Sequence, residues 1–160
     1  FRYDGLLWPR LDGDRQPFEQ RLSIQELIAL DENDPERQRQ WNKMAEASRG
    51  QLARSEYLYG CGAGLRTFHI DSAGRVGICM MSRSVVYDLS QVPFREAWER
   101  LGDLRKLKRQ QDTPCRTCAA NGLCTQCPGW SQLVHGDDET PVEFVCQLGR
   151  LRAARAAASL

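Results

Sequence analysis

The chain of 160 residues carries 22 basic and 21 acidic side chains, for a net charge of +1. That balance gives no support to a nucleic-acid-binding domain, which would be strongly basic. No apolar run approaches the eighteen or so residues that a membrane helix requires, so no membrane partner is expected.

Residues 1–22 read as extended or irregular, because Phe1 to Leu7 mix apolar and polar residues and Trp8-Pro9 ends the run with a residue that cannot donate to a sheet ladder. Ser23 followed by Glu26 is a capping box and predicts a short helix through Leu27, Ile28 and Leu30. Asp34-Pro35 predicts a second helix start, running to about Ser48 and stopping at Gly50. Its apolar side is Trp41, Met44, Ala45 and Ala47, with core packing the default for Trp41 and Met44.

From Arg66 to Met80 the pattern changes to strands. Phe68 and Ile70 alternate with polar neighbours, Asp71-Ser72-Ala73-Gly74 makes a turn, and Val76 and Ile78 continue the alternation. A hairpin brings its ends together, so Cys79 on the outgoing strand can approach Cys61, just ahead of the incoming one. Phe94, Ala97, Trp98 and Leu101 then fall at helical spacing, which predicts a helix with the aromatic pair in the core. Gly102-Asp103 interrupts it, and Leu104 and Leu107 continue. The basic run Arg105, Lys106, Lys108 and Arg109 reads as a solvated face, with docking of a peptide or another domain as the sharper alternative. Thr140-Pro141-Val142-Glu143 predicts a last helix with Cys146 in its second turn, and Arg150, Arg152 and Arg155 placed to suit its C-terminal dipole. The fold class expected is α+β: a small antiparallel β-hairpin with surrounding helices and cysteine-rich loops.

Seven cysteines carry the chemistry: Cys61, Cys79, the close set Cys115-x2-Cys118-x5-Cys124-x2-Cys127, and Cys146. Disulfides favour even counts and small secreted chains. The count here is odd, and the chain opens with neither a charged n-region nor an apolar h-region, which points to a cytoplasmic protein. Two Cys-x2-Cys pairs can supply a tetrahedral zinc site. The gap between them is short against the roughly 15–20 residues of the common paired pattern, and zinc would leave Cys61, Cys79 and Cys146 with only His69 and His135 for company. Iron–sulfur cubanes take four thiolates each. Seven divide as four plus three, which leaves one iron open to water, another side chain or a substrate thiolate. His69, near the hairpin, is a candidate fourth ligand, although a lone histidine on a strand is more often structural.

The order Cys61-x12-Gly74-x4-Cys79, a gap, the close set, a gap and Cys146 resembles the SPASM domain, the auxiliary-cluster domain of many radical S-adenosylmethionine enzymes. Also similar are Cys61-Gly62-Ala63-Gly64, the Asp71–Val76 turn, Phe94-Arg95-Glu96-Ala97-Trp98 and the Cys127-Pro128 step. One spacing departs: two residues separate Cys124 from Cys127 where the family has three.

The resemblance implies two [4Fe-4S] clusters. The first would be held by Cys61, Cys79 and Cys127 with an open iron, the second by Cys115, Cys118, Cys124 and Cys146. The shortened spacing leaves the second cluster as the alternative home for Cys127. It further implies a radical SAM core domain as partner, binding S-adenosylmethionine, and a peptide or protein substrate. The core's Cys-x3-Cys-x2-Cys triplet is absent from this sequence. The chain is therefore expected to be the C-terminal part of a longer enzyme or a truncated relative, without activity on S-adenosylmethionine by itself; a stand-alone zinc- or cluster-binding scaffold or electron carrier is the alternative. The expected organisation is a barrel remnant at 1–22, a helical bridge at 23–57, the cluster domain at 58–150 and a helical tail at 151–160.

Overall fold

Residues 5–48 and 56–158 are described in the structure, a computed structural model. The expected helix stop at Gly50 and the first four residues of the expected N-terminal strand lie outside them. The described residues form helices α1 (Ile24–Glu32), α2 (Pro35–Ser48), α3 (Phe94–Asp103), α4 (Pro128–His135) and α5 (Glu143–Ala158). Strands β1 (His69–Ile70), β2 (Arg75–Gly77) and β3 (Val86–Asp88) make one antiparallel sheet in the order β1-β2-β3. The fold class is α+β. No described helix is long and apolar enough to cross a membrane.

The chain divides into two units. One comprises Phe1–Arg54, Thr113–Gln126 and Pro141–Leu160, and the other Ser55–Asp112 and Cys127–Thr140.

The first unit is helical. The Ser23 capping box forms as expected: the Ser23 N–H donates to the Glu26 carboxylate at 2.8 Å, and the Glu26 N–H donates to Ser23 Oγ at 3.2 Å. Asp34 Oδ1 accepts the N–H groups of Glu36 and Arg37 and so opens α2. Within the stretch read as irregular, Gln16–Gln20 closes into a 3-10 turn. Leu27, Ile28 and Leu148 form the apolar core, with Leu6, Ile24 and Phe144 against it.

The core role expected of Trp41 and Met44 is not observed. Helix α2 buries none of its residues, Met44 is exposed, and Trp41 lies half-buried beneath the Arg152 guanidinium, 4.1 Å from the ring centroid. A helix this rich in Glu, Arg and Gln has no continuous apolar stripe to bury.

The second unit is built around β2. Val76 and Ile78 are wholly buried against Leu58, Tyr59, Ala63, Ala97 and Leu101. The turn forms as expected, with Gly74 at φ +76°, a conformation that side-chain-bearing residues rarely adopt. Asp71 organises that turn: Oδ1 accepts the N–H groups of Ala73 and Arg75, and Oδ2 pairs with the Arg75 and Arg83 guanidinium groups. The hairpin is extended by β3, a strand not anticipated from sequence, in the register Val76↔Tyr87.

Helix α3 runs unbroken through Gly102 to Asp103 and passes straight into a 3-10 turn at Leu104–Lys106, so the expected interruption is absent. Its aromatic pair is not core. Phe94 is 41% exposed and, with the half-buried Trp98 and the exposed Phe68, forms a surface cluster with ring centroids 5.0–6.3 Å apart. Ala97 and Leu101, one and two turns along, take the buried face instead.

Candidate functional site

The boundary between the two units sorts the cysteines. Cys115, Cys118, Cys124 and Cys146 belong to the helical unit, and Cys61, Cys79 and Cys127 to the sheet unit. The chain crosses from one to the other between Gln126 and Cys127, inside the close set.

In the helical unit, Pro114 starts a 3-10 turn, Pro114–Thr117, that buries Cys115. Asn121-Gly122 makes a tight turn, closed by the Leu123 N–H donating to the Ala120 carbonyl at 2.9 Å. Helix α5 opens at Glu143, so Cys146 stands in its first turn and not in the second. The Cys146 and Cys115 side chains are hydrogen-bonded; this bond, burial and the nearby Cys124 together hold the Cys146 thiol far above its ordinary range. Gln126 joins the loop to the helix. Its backbone N–H donates to Cys124 Sγ at 3.5 Å, while its buried side-chain oxygen accepts the Val142 N–H at 3.1 Å.

In the sheet unit, Cys61 is exposed on the loop before the hairpin, Cys79 follows β2, and Cys127 is the residue that caps α4. Cys79 Sγ accepts the Met81 N–H at 3.4 Å. Burial pushes the Cys127 thiol up, the amides of Trp130 and Gly129 at the start of α4 pull it down, and the neighbouring Cys79 and Cys61 raise it again. His69 is half-buried in β1 opposite Gly77, and His135 ends α4.

Two residues of the sheet unit make contacts that their local sequence does not announce. Arg105 donates to the carbonyl oxygens of Cys61 at 2.6 Å and Ala63 at 3.0 Å. Arg109 donates to Leu58 O, Lys108 pairs with Glu56, and the Leu58 N–H donates to Leu107 O. The basic run read as a solvated face thus fastens the segment that leads into Cys61. Tyr59 is the second: its hydroxyl is 2.8 Å from Ser82 Oγ, and burial, with smaller contributions from Asp138, Cys127 and Cys79, pushes its pKa up.

Among the described residues, no group of three or more His, Cys, Asp or Glu side chains is arranged to hold a metal ion. No family model matches the sequence, and neither a curated protein nor a solved structure is significantly similar to it.

Proposed function

We propose that the chain is an auxiliary-cluster domain carrying two [4Fe-4S] clusters, in the manner of the SPASM part of a radical SAM enzyme that modifies a peptide or protein. Cys61, Cys79 and Cys127 would hold the first, with one iron open, and Cys115, Cys118, Cys124 and Cys146 the second. The observation that carries this reading is the division of the cysteines. The two units are a property of backbone packing alone, yet they part seven cysteines into four and three. A cubane takes four thiolates, so a four-cysteine set fills one and a three-cysteine set leaves an iron free. The same division favours the sheet unit as the home of Cys127, despite its shortened spacing.

The donor chemistry suits the group. Thiolates are the ligands of such clusters, and cysteine sulfurs in both units accept backbone N–H groups, from Met81 onto Cys79 and from Gln126 onto Cys124. N–H groups directed at cluster sulfur stabilise the reduced, more negative state and so raise the reduction potential. When bound, the clusters would supply one-electron transfer, and the open iron a coordination position for a substrate donor. The protein's part is to hold the Cys61 loop through Arg105 and to set Cys127 at the amide-rich start of α4. The radical SAM core, with its S-adenosylmethionine, would belong to another part of the same protein or to a partner chain. A cytoplasmic location, where thiols stay reduced, completes the proposal.

Anaerobic reconstitution with iron and sulfide, with zinc assayed in parallel, tests it. About eight irons per chain are expected. Recovery of about one zinc with negligible iron would replace this reading with that of a zinc-bound scaffold.

A further inference from the structure

Each group of cysteines includes one in or at the start of a helix, Cys146 within α5 and Cys127 at the N-cap of α4, and a few residues further on stands a glycine pressed against the segment that carries a second cysteine. In α5, Gly149 follows Cys146 by three residues, one helical turn, and so shares its face. A β-carbon at position 149 would lie 2.9 Å from Cys124 Cβ, 3.1 Å from Cys124 Cα and 3.3 Å from Cys124 Sγ. In α4, Gly129 follows Cys127 by two residues. A β-carbon there would lie 2.7 Å from Met81 Cβ, 3.2 Å from Met81 C and 3.3 Å from Ser82 N. Met81 is the residue whose N–H bonds Cys79 Sγ.

The shortest of these encounters, with Cys124 Cβ and Cα and with Met81 Cβ and C, involve backbone and Cβ atoms inside the roughly 3.5–4.0 Å optimum for carbon–carbon contact, so no rotamer change relieves them. Only a shift of the helix or of the facing segment can. A close-packed interior resists such shifts, and a ligand set tolerates them poorly.

We infer that Gly149 and Gly129 are positioning residues, each for one cluster. Gly149 sets the distance of Cys146 from Cys124 in the four-cysteine site, and Gly129 sets the distance of Cys127 from the Cys79 segment in the three-cysteine site. The inference rests on the two-cluster reading.

The test compares the full chain with Gly149→Ala and Gly129→Ala, each reconstituted anaerobically with iron and sulfide. Alanine is the better helix former, so neither change weakens its helix by propensity, and far-UV circular dichroism checks that the fold persists. The remaining cluster is identified by adding mercaptoethanol and recording the electron paramagnetic resonance spectrum of the reduced protein, since only a cluster with an open iron takes up the added thiol. Gly149→Ala should fall from about eight irons to about four and keep the thiol-sensitive signal; Gly129→Ala should fall equally and keep only the thiol-insensitive one. Two fully loaded variants with wild-type spectra, or loss of both clusters together in either variant, would overturn the inference while leaving the two-cluster reading in place. A wild-type chain that binds fewer than two clusters would overturn that reading, and the inference with it.

Discussion

Arg152 and Asp31 stand 121 residues apart in the sequence and meet at 2.8 Å, with only 7% of each side chain exposed. The other Asp31 oxygen takes Arg37 at 2.9 Å, and the Arg152 guanidinium covers the Trp41 ring. Three helices are tied at one buried carboxylate. Helix α5 ends in an alanine-rich run, so this tie does for its second half what apolar packing at Val145 and Leu148 does for its first.

Removing Arg152 takes one cationic partner from the buried carboxylate and leaves Arg37 in place. Losing one member of a buried pair costs about 3–5 kcal/mol, and the retained Arg37 should hold the loss for Arg152→Ala to about 2–3 kcal/mol. Arg155, which pairs with Glu32 at 3.1 Å in the open, is the comparison, and Arg155→Ala should cost no more than about 0.5 kcal/mol. Urea unfolding midpoints decide it; equal, small shifts for both variants would show that the buried tie contributes little.

Arg105 offers a separate handle on the first site. Its two bonds to the Cys61 and Ala63 carbonyls hold the loop that presents the most exposed of the cysteines. Hydrogen bonds from a charged donor contribute about 1.5–3 kcal/mol, less where water competes, so Arg105→Met should loosen the loop by about 1–2 kcal/mol. In the reconstituted chain this should appear as faster chelator-driven loss of half the iron, with the other half lost at the wild-type rate. Uniform loss of all the iron would argue against a local role.

The hairpin should respond to acid in a defined sense. The backbone N–H of Arg75, then its side chain, hold the Asp71 carboxyl well below the usual carboxylate range, with Ala73 and Arg83 adding to the effect. A carboxylate whose folded-state pKa is depressed contributes stability above its unfolded-state value of about 3.9, and that stability is lost as the pH falls through the folded-state value. Asp71→Asn should therefore weaken the protection of the Arg75 and Val76 amides against hydrogen exchange at neutral pH. The difference from wild type should close as the pH falls below about 4. A difference that stays constant into strong acid would mean that the charge is not what matters.

Ligand substitution settles where Cys127 belongs. Cys61→Ala should remove the first cluster and Cys146→Ala the second, each at a cost of roughly half the iron. Cys127→Ala should match the Cys61 variant in iron and spectrum. If it matches the Cys146 variant instead, the open iron has to be reassigned to another site.

Much of the helical architecture was legible because its signals are local. Ser23 with Glu26 and Asp34 with Pro35 announce their helices within four residues. Val76 and Ile78 declare the buried face of β2 by alternation. Two elements escaped for different reasons. Strand β3 is only Val86–Asp88, too short for alternation to register, although Val85-Val86-Tyr87 is rich in strand formers. Helix α4 carried a readable pair of ends, Pro128 at its first turn and Gly136 in the left-handed conformation after its last, but Cys127 stands where a capping Ser, Thr, Asp or Asn would announce a start. The partners of Arg105 and Arg152 and the neighbours of Gly129 and Gly149 lie tens of residues away. Nothing in their local sequence points there, because such contacts exist only once the fold has closed.

The crossing between Gln126 and Cys127 bears on how the proposed clusters would be assembled. In an unfolded chain, Cys115, Cys118, Cys124 and Cys127 lie within thirteen residues, and loop-closure entropy makes them the cheapest four-thiolate chelate available. The proposed native sets pass over that chelate: one reaches forward to Cys146, and the other back past Cys79 to Cys61. Folding and early metal capture are then competitors, and the unit boundary separates thiolates that the unfolded chain would pool. Order of addition should decide the product, with iron and sulfide supplied after folding giving the two native sites and metal supplied to the denatured chain locking in the local one.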